Sequence, residues 1–126
     1  MQTIYPVLKY HDAPAAIEFL ERAFGFERRQ VHEGDGGAIV HAELSFGDQV
    51  LGLSSTGVGN PIFEQGAGRT TVYVAVDEVD PLHDRAQAAG AEIVMAPEDQ
   101  EYGSRDFAAR DPEGNIWSFG TYRLGS

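Results

Sequence analysis

His41 and Glu43 stand two residues apart in Ile39–Phe46, a stretch that reads as a β-strand. Strand side chains alternate faces, so both leave the same side of the sheet. An imidazole and a carboxylate placed this way can act as base and partner in acid–base chemistry. With Asp106 they are also candidate ligands of a metal ion. The plainer reading of the same residues is a hydrogen-bonded pair on an open, wet sheet face. Arg105 and Arg110 flank Phe107 and could reach an anionic group, or pair with carboxylates at the surface. His11, His32 and His83 carry no assigned role, and their settings read as a helix start, an exposed strand and a helix surface.

The totals narrow the chemistry. The chain of 126 residues is long enough for one domain with a real core. It has no cysteine, which removes disulfides, thiol nucleophiles and thiolate metal sites. The formal net charge is −11, with a pI near 4.5. Such a surface repels nucleic acid and anionic lipid, so neither is expected as a partner. It would suit a cationic ligand, although charge also simply keeps a protein soluble. No apolar run of membrane-spanning length occurs, and Met1–Pro6 does not resemble a signal peptide. The expectation is a cytoplasmic protein.

The elements that would position these groups come in two similar sets. Thr3–Tyr10 is β-type, with Pro6 arguing for an edge or a bulge. Asp12 is a helix cap, Pro14 falls in the first turn, and apolar residues recur at helical spacing from Ala16 to Phe24, with Gly25 as the stop. Strands follow at Phe26–Glu33, Ile39–Phe46 and Gln49–Ser54. Ser55 to Gly68 is loop chemistry, a linker or a lid, whose large apolar groups are Ile62 and Phe63. The second set repeats the order: a strand over Arg69–Val76, a helix from Glu78 to Ala89 capped by Asp77, a strand over Ala91–Met95 and a loop from Ala96 to Gln100. A hairpin closes the chain, with strands Asp106–Arg110 and Ile116–Tyr122 around the turn Asp111-Pro112-Glu113-Gly114-Asn115. The predicted organisation is one domain, 1–126: module one over 1–55, a linker over 56–68, and module two over 69–126.

This doubled β-α-β-β-β order resembles the vicinal-oxygen-chelate superfamily of glyoxalases, bleomycin-resistance proteins and extradiol dioxygenases. Phe24-Gly25-Phe26 resembles the family's helix end, and Asp111-Pro112-Glu113-Gly114-Asn115 its D-P-x-G-N hairpin. The resemblance implies an α+β fold in which two tandem modules curl into a cavity-enclosing mixed sheet with helices outside. It also implies a homodimer whose cavities draw on both chains. Many relatives hold a divalent metal with His, Gln or Glu on the first and last strand of each module. Offsets from local landmarks map those places to Tyr5, Gly52, Thr71 and Ser118, none a good ligand for a first-row cation. No metal and no cofactor are therefore expected. That favours the bleomycin-resistance branch, which binds a small molecule in its cavity.

Alternation from Gly52 and Ser118 places Val50, Ile116 and Gly120 inward and turns Trp117 and Phe119 into the core. The expected ligand-binding set is Tyr5, His41, Glu43, Val50, Gly52, Thr71, Tyr73, Asp106 and Ser118, an apolar wall with a few convergent polar groups. No catalytic residue is assigned. The competing reading is an enzyme, a lyase, isomerase or dioxygenase with a non-standard site around His41, Glu43 and Asp106. A third is a structural dimer with a vestigial cavity.

Overall fold

Asp12 starts the first helix as its position predicts: its side chain accepts a 3.1 Å hydrogen bond from the Ala15 N–H. In the computed structural model, which describes residues 1–125, the chain runs β1 (Val7–Tyr10), α1 (Ala13–Phe19), β2 (Glu27–Glu33), β3 (Ile39–Phe46), β4 (Gln49–Ser55), β5 (Thr71–Ala75), α2 (Asp80–Ala88), β6 (Glu92–Asp99), β7 (Arg105–Arg110) and β8 (Ile116–Gly120). A π-turn, Leu20–Phe24, continues α1 and brings Leu20, Ala23 and Phe24 to its buried side. Gly25 ends it at φ 82°, a conformation that costs a glycine little. Short 3₁₀ turns occupy Asp35–Gly37 and Pro61–Glu64.

Two four-stranded mixed sheets result, ordered β1-β4-β3-β2 and β5-β8-β7-β6. Each has one parallel pair, β1 with β4 and β5 with β8. The registers correspond: Val7 faces Gly52 in the first sheet, and Tyr73 faces Ser118 in the second. This is the expected α+β arrangement of two β-α-β-β-β modules. The sheets remain two and do not close into a barrel, because β1 and β5 both end their sheets.

Alternation fills the core as the sequence predicts. Ala42, Leu44, Leu51 and Leu53 are buried from the first sheet, and Phe107, Ala109, Trp117 and Phe119 from the second. The modules share this core. Phe24, at the end of the first helix, packs 5.7 Å from Trp117 and 4.9 Å from Phe119, ring centre to ring centre. Phe26 sits 5.5 Å from the same tryptophan. Burying each such side chain contributes about 1.5–3 kcal/mol, so this cluster welds the halves together.

Several boundaries differ from the sequence reading. β1 begins at Val7 rather than Thr3, because Gln2 takes the place of a backbone partner. Its side-chain amide donates to Val50 O at 2.8 Å and accepts from Val50 N at 2.6 Å. β5 is shorter than expected at both ends. β6 runs through Ala96, Pro97 and Glu98, where a loop was expected. It is an edge strand with two register shifts, so the missing proline donor is tolerated. α2 starts at Asp80, not Glu78, and Asp77 does not cap it. Asp77 instead accepts from Arg123 at 3.0 Å.

Candidate functional site

Each sheet packs one face into the core, and the other mixes exposed side chains with small buried ones. On the first sheet this second, open face carries exposed His41 and partly exposed Glu43 and Val50, with Ser45, Gly52 and Ser54 buried among them. His41 Nε2 and Glu43 Oε2 are 2.8 Å apart, both partly exposed. On the second sheet it carries Tyr73 from β5, Ser118 and Gly120 from β8, and Asp106 and Ala108 from β7. Small residues thus form a shelf beside one carboxylate.

Asp106 is buried, and hydroxyls rather than a cation satisfy it. Tyr102 donates to its Oδ2 at 2.8 Å, and Ser104 donates to its Oδ1. Ser104 Oγ in turn accepts from the Tyr122 N–H, and Tyr73 donates to Tyr122 O at 2.7 Å. Tyr102 packs edge-on against Tyr122. The hydrogen bond to Asp106 pushes the Tyr102 phenol up, and burial does the same for Tyr73, so both stay protonated as donors. Gly120 makes this possible: a Cβ there would run into Asp106 Oδ1 and lie 2.6 Å from the Tyr73 hydroxyl.

The residues expected to line one cavity do not all meet within one chain. Val50 and Tyr73 border a cleft of about 930 Å³ at the seam between the modules, floored by Phe46, Val72 and Val74. His41, Glu43 and Gly52 lie on the open face of the first sheet. Thr71, Asp106 and Ser118 belong to the second. Tyr5 precedes β1, half exposed, with its hydroxyl donating to Gln2 O at 2.8 Å. Asp106 bonds Tyr102 and Ser104, not the His41–Glu43 pair. Arg105 is held by Asp80 and Asp99, and Arg110 by Glu92.

The strand positions mapped to the superfamily's chelate lie on or beside the parallel pairs β1–β4 and β5–β8. The parallel pairs bring together Val7 and Gly52 in one sheet, and Tyr73 and Ser118 in the other. Including Tyr5 and Thr71, none is His, Glu, Asp or Cys. Among the described residues no group of three such side chains is arranged to hold an ion. The donor set does not fit the superfamily's chelate.

Sequence reasoning treated the Asp111–Asn115 turn as a hairpin signature and missed its role as a joint. Asp111 is buried, and its Oδ2 accepts from the Tyr10 hydroxyl at 2.7 Å, Asn115 Nδ2 at 3.0 Å and Trp117 Nε1 at 3.1 Å. Its Oδ1 accepts from the Glu113 and Asn115 N–H groups. Glu113 reaches the start of the first helix, accepting from His11 N at 2.6 Å and Asp12 N at 2.8 Å. Gly68 also passes close enough that a Cβ would lie 2.7 Å from Glu113 O. The one signal available was the density of polar residues in a turn next to a buried tryptophan.

The Glyoxalase/Bleomycin resistance protein/Dioxygenase superfamily profile matches residues 5–119, and the chain belongs to that superfamily. It is 32% identical over 121 residues to the uncharacterized protein Mb0911c of Mycobacterium bovis, covering 91% of this chain and 80% of that one. Among solved structures it resembles TioX from Micromonospora sp. ML1, with TM-score 0.78 and 33% identity over 96% of this chain and all of the other. The bleomycin resistance determinant encoded on transposon Tn5 shares the fold at TM-score 0.70 and 22% identity, over 98% of this chain and 100% of that one.

Proposed function

We propose that this protein is a small-molecule binding protein of the bleomycin-resistance type, working without the superfamily's metal chelate. What supports this reading is the chemistry of Tyr5, Gly52, Thr71 and Ser118, which the family resemblance maps to the chelate positions and none of which is a good ligand for a first-row cation. A shelf of small residues beside Tyr73 makes room for a flat ligand, and the buried Asp106, bonded to Tyr102 and Ser104, adds negative charge that favours a cationic one. The likeness in fold to the Tn5 bleomycin resistance determinant is in keeping with this reading. The open face of each sheet is half a cavity, so the working form is a homodimer in which a second copy supplies the other half. No described helix is long and apolar enough to cross a membrane.

The test is a thermal-shift screen of cationic aromatic compounds, bleomycin included, in the presence of a chelator, with sedimentation to fix the oligomer. The reading expects a ligand that raises the melting temperature with no product formed. Turnover that needs added metal would overturn it.

One observation favours a second reading. The 2.8 Å His41–Glu43 contact is a geometry that a general base and its partner use. A lyase or isomerase working from that pair would lose turnover in His41→Ala, whereas a ligand trap has none to lose.

A further inference from the structure

Directly across from His41 on the neighbouring strand β2 stands His32, its register partner. Their rings stack with centres 6.2 Å apart and planes 24° from parallel. Gln30 and Glu43 form the next pair on the same face of these strands, with Val31 and Ala42 paired between them. His32 Nε2 lies 3.0 Å from Gln30 Oε1, and His41 Nε2 lies 2.8 Å from Glu43 Oε2. A carboxylate and an amide oxygen only accept, so each Nε2 is the protonated, donating nitrogen. In the neutral rings the lone pair therefore sits on Nδ1, and neither Nδ1 has a hydrogen-bond partner among the described residues.

We infer that His32 and His41 form a two-imidazole site for a borderline divalent cation such as zinc, nickel or copper, bound through the two Nδ1 atoms. An imidazole whose far nitrogen donates to an oxygen acceptor is the usual form of a metal-binding histidine. The acceptor fixes the tautomer and makes the free nitrogen more basic. Here both rings carry that support, Glu43 behind one and Gln30 behind the other. The stacked rings hold their two Nδ1 lone pairs nearly parallel, and because both rings are exposed they can turn towards one ion at about 2.0–2.1 Å from each nitrogen, the flexible Gln30 and Glu43 side chains following, without disturbing the core. Water completes the coordination, since no third protein ligand converges among the described residues. The net charge of −11 raises the local cation concentration. The site lies on β2 and β3, away from the strand positions of the superfamily chelate, and stands independently of the ligand-binding reading.

The experiment is calorimetric titration of tag-free, metal-stripped protein with zinc, nickel or copper ions alone, alongside NMR of the histidine ring protons. The expected result is one ion per chain, with the His32 and His41 resonances shifted and those of His83 unmoved. His32→Ala and His41→Ala each weaken binding at least tenfold, Glu43→Gln weakens it several-fold, and His83→Ala leaves it unchanged. Circular dichroism confirms that the exposed-strand variants fold. Binding that persists in both histidine variants, or no saturable binding below about 1 mM (on the order of 4 kcal/mol), overturns the site.

Discussion

The Tyr10 hydroxyl donates a 2.7 Å hydrogen bond to Asp111 Oδ2, tying the end of the first strand to a turn 101 residues later. The bond is buried and joins module one to module two. Asp111 holds five donors at once. Removing one donor and removing the acceptor should therefore differ sharply. Tyr10→Phe leaves Asp111 with four donors and should cost about 1–2 kcal/mol. Asp111→Ala orphans the buried Tyr10 hydroxyl, Trp117 N–H and Asn115 amide together, and should cost about 3–5 kcal/mol. Urea unfolding of the two variants checks the order.

The same bond sets the alkaline limit. Burial, then the charge of Asp111, drives the Tyr10 phenol far above its ordinary value of 10.0. A group raised in the folded state contributes stability that is complete below its unfolded value and lost as pH rises towards the folded one. Above pH 10 the unfolded tyrosine ionises and the folded one does not, so stability should fall by about 1.4 kcal/mol per pH unit from this group. Tyr10→Phe should flatten that slope, measured by melting between pH 9 and 11.

At the acid end the sign reverses. The Arg105 guanidinium holds the Asp80 carboxyl below its ordinary 3.8. That contribution is complete above pH about 4 and lost as pH falls through the depressed value. The pair is exposed and screened by salt, so its effect should be small. Asp80→Asn should make the melting temperature slightly less dependent on pH below 4 in dilute buffer, and indistinguishable from the parent in 1 M salt.

Gly120 tests the polar cluster on the second sheet. Gly120→Ala puts a methyl group against Asp106 Oδ1 and the Tyr73 hydroxyl. The strand backbone permits alanine, so the cost is overpacking and lost hydrogen bonds, about 1–3 kcal/mol. It should also weaken any ligand that uses Asp106. Melting and titration of this one variant measure both effects.

Much of the fold was legible because its signals were local. Alternation placed Trp117 and Phe119 in the core, and Asp12 and Gly25 marked the ends of the first helix. What escaped was long-range. Nothing near Gln2 says that its amide will replace a strand partner for Val50, and so β1 was read too long. Pro97 looked like a loop because its tolerance depends on β6 being an edge. The joint made by Asp111 and Glu113 was hidden for the same reason, since their partners are about a hundred residues away. On the site, the sequence placed His41 beside Glu43 and gave Asp106 and Ser118 a shared sheet. It could not show that one chain holds these on two separate sheets, because that depends on how the modules pack. It also passed over His32, whose pairing with His41 is set by a register shift in β2.

Ligand binding without the superfamily's chelate is the central property proposed for this protein, and one titration addresses it directly. Metal-stripped protein, kept in chelator, is titrated calorimetrically with bleomycin and a panel of cationic aromatic amines. The account predicts saturable binding of at least one of them near one per chain, undiminished by the chelator and weakened at least tenfold by Asp106→Asn or Tyr73→Ala. Saturable binding that appears only when metal is returned, or that ignores both substitutions, would contradict it.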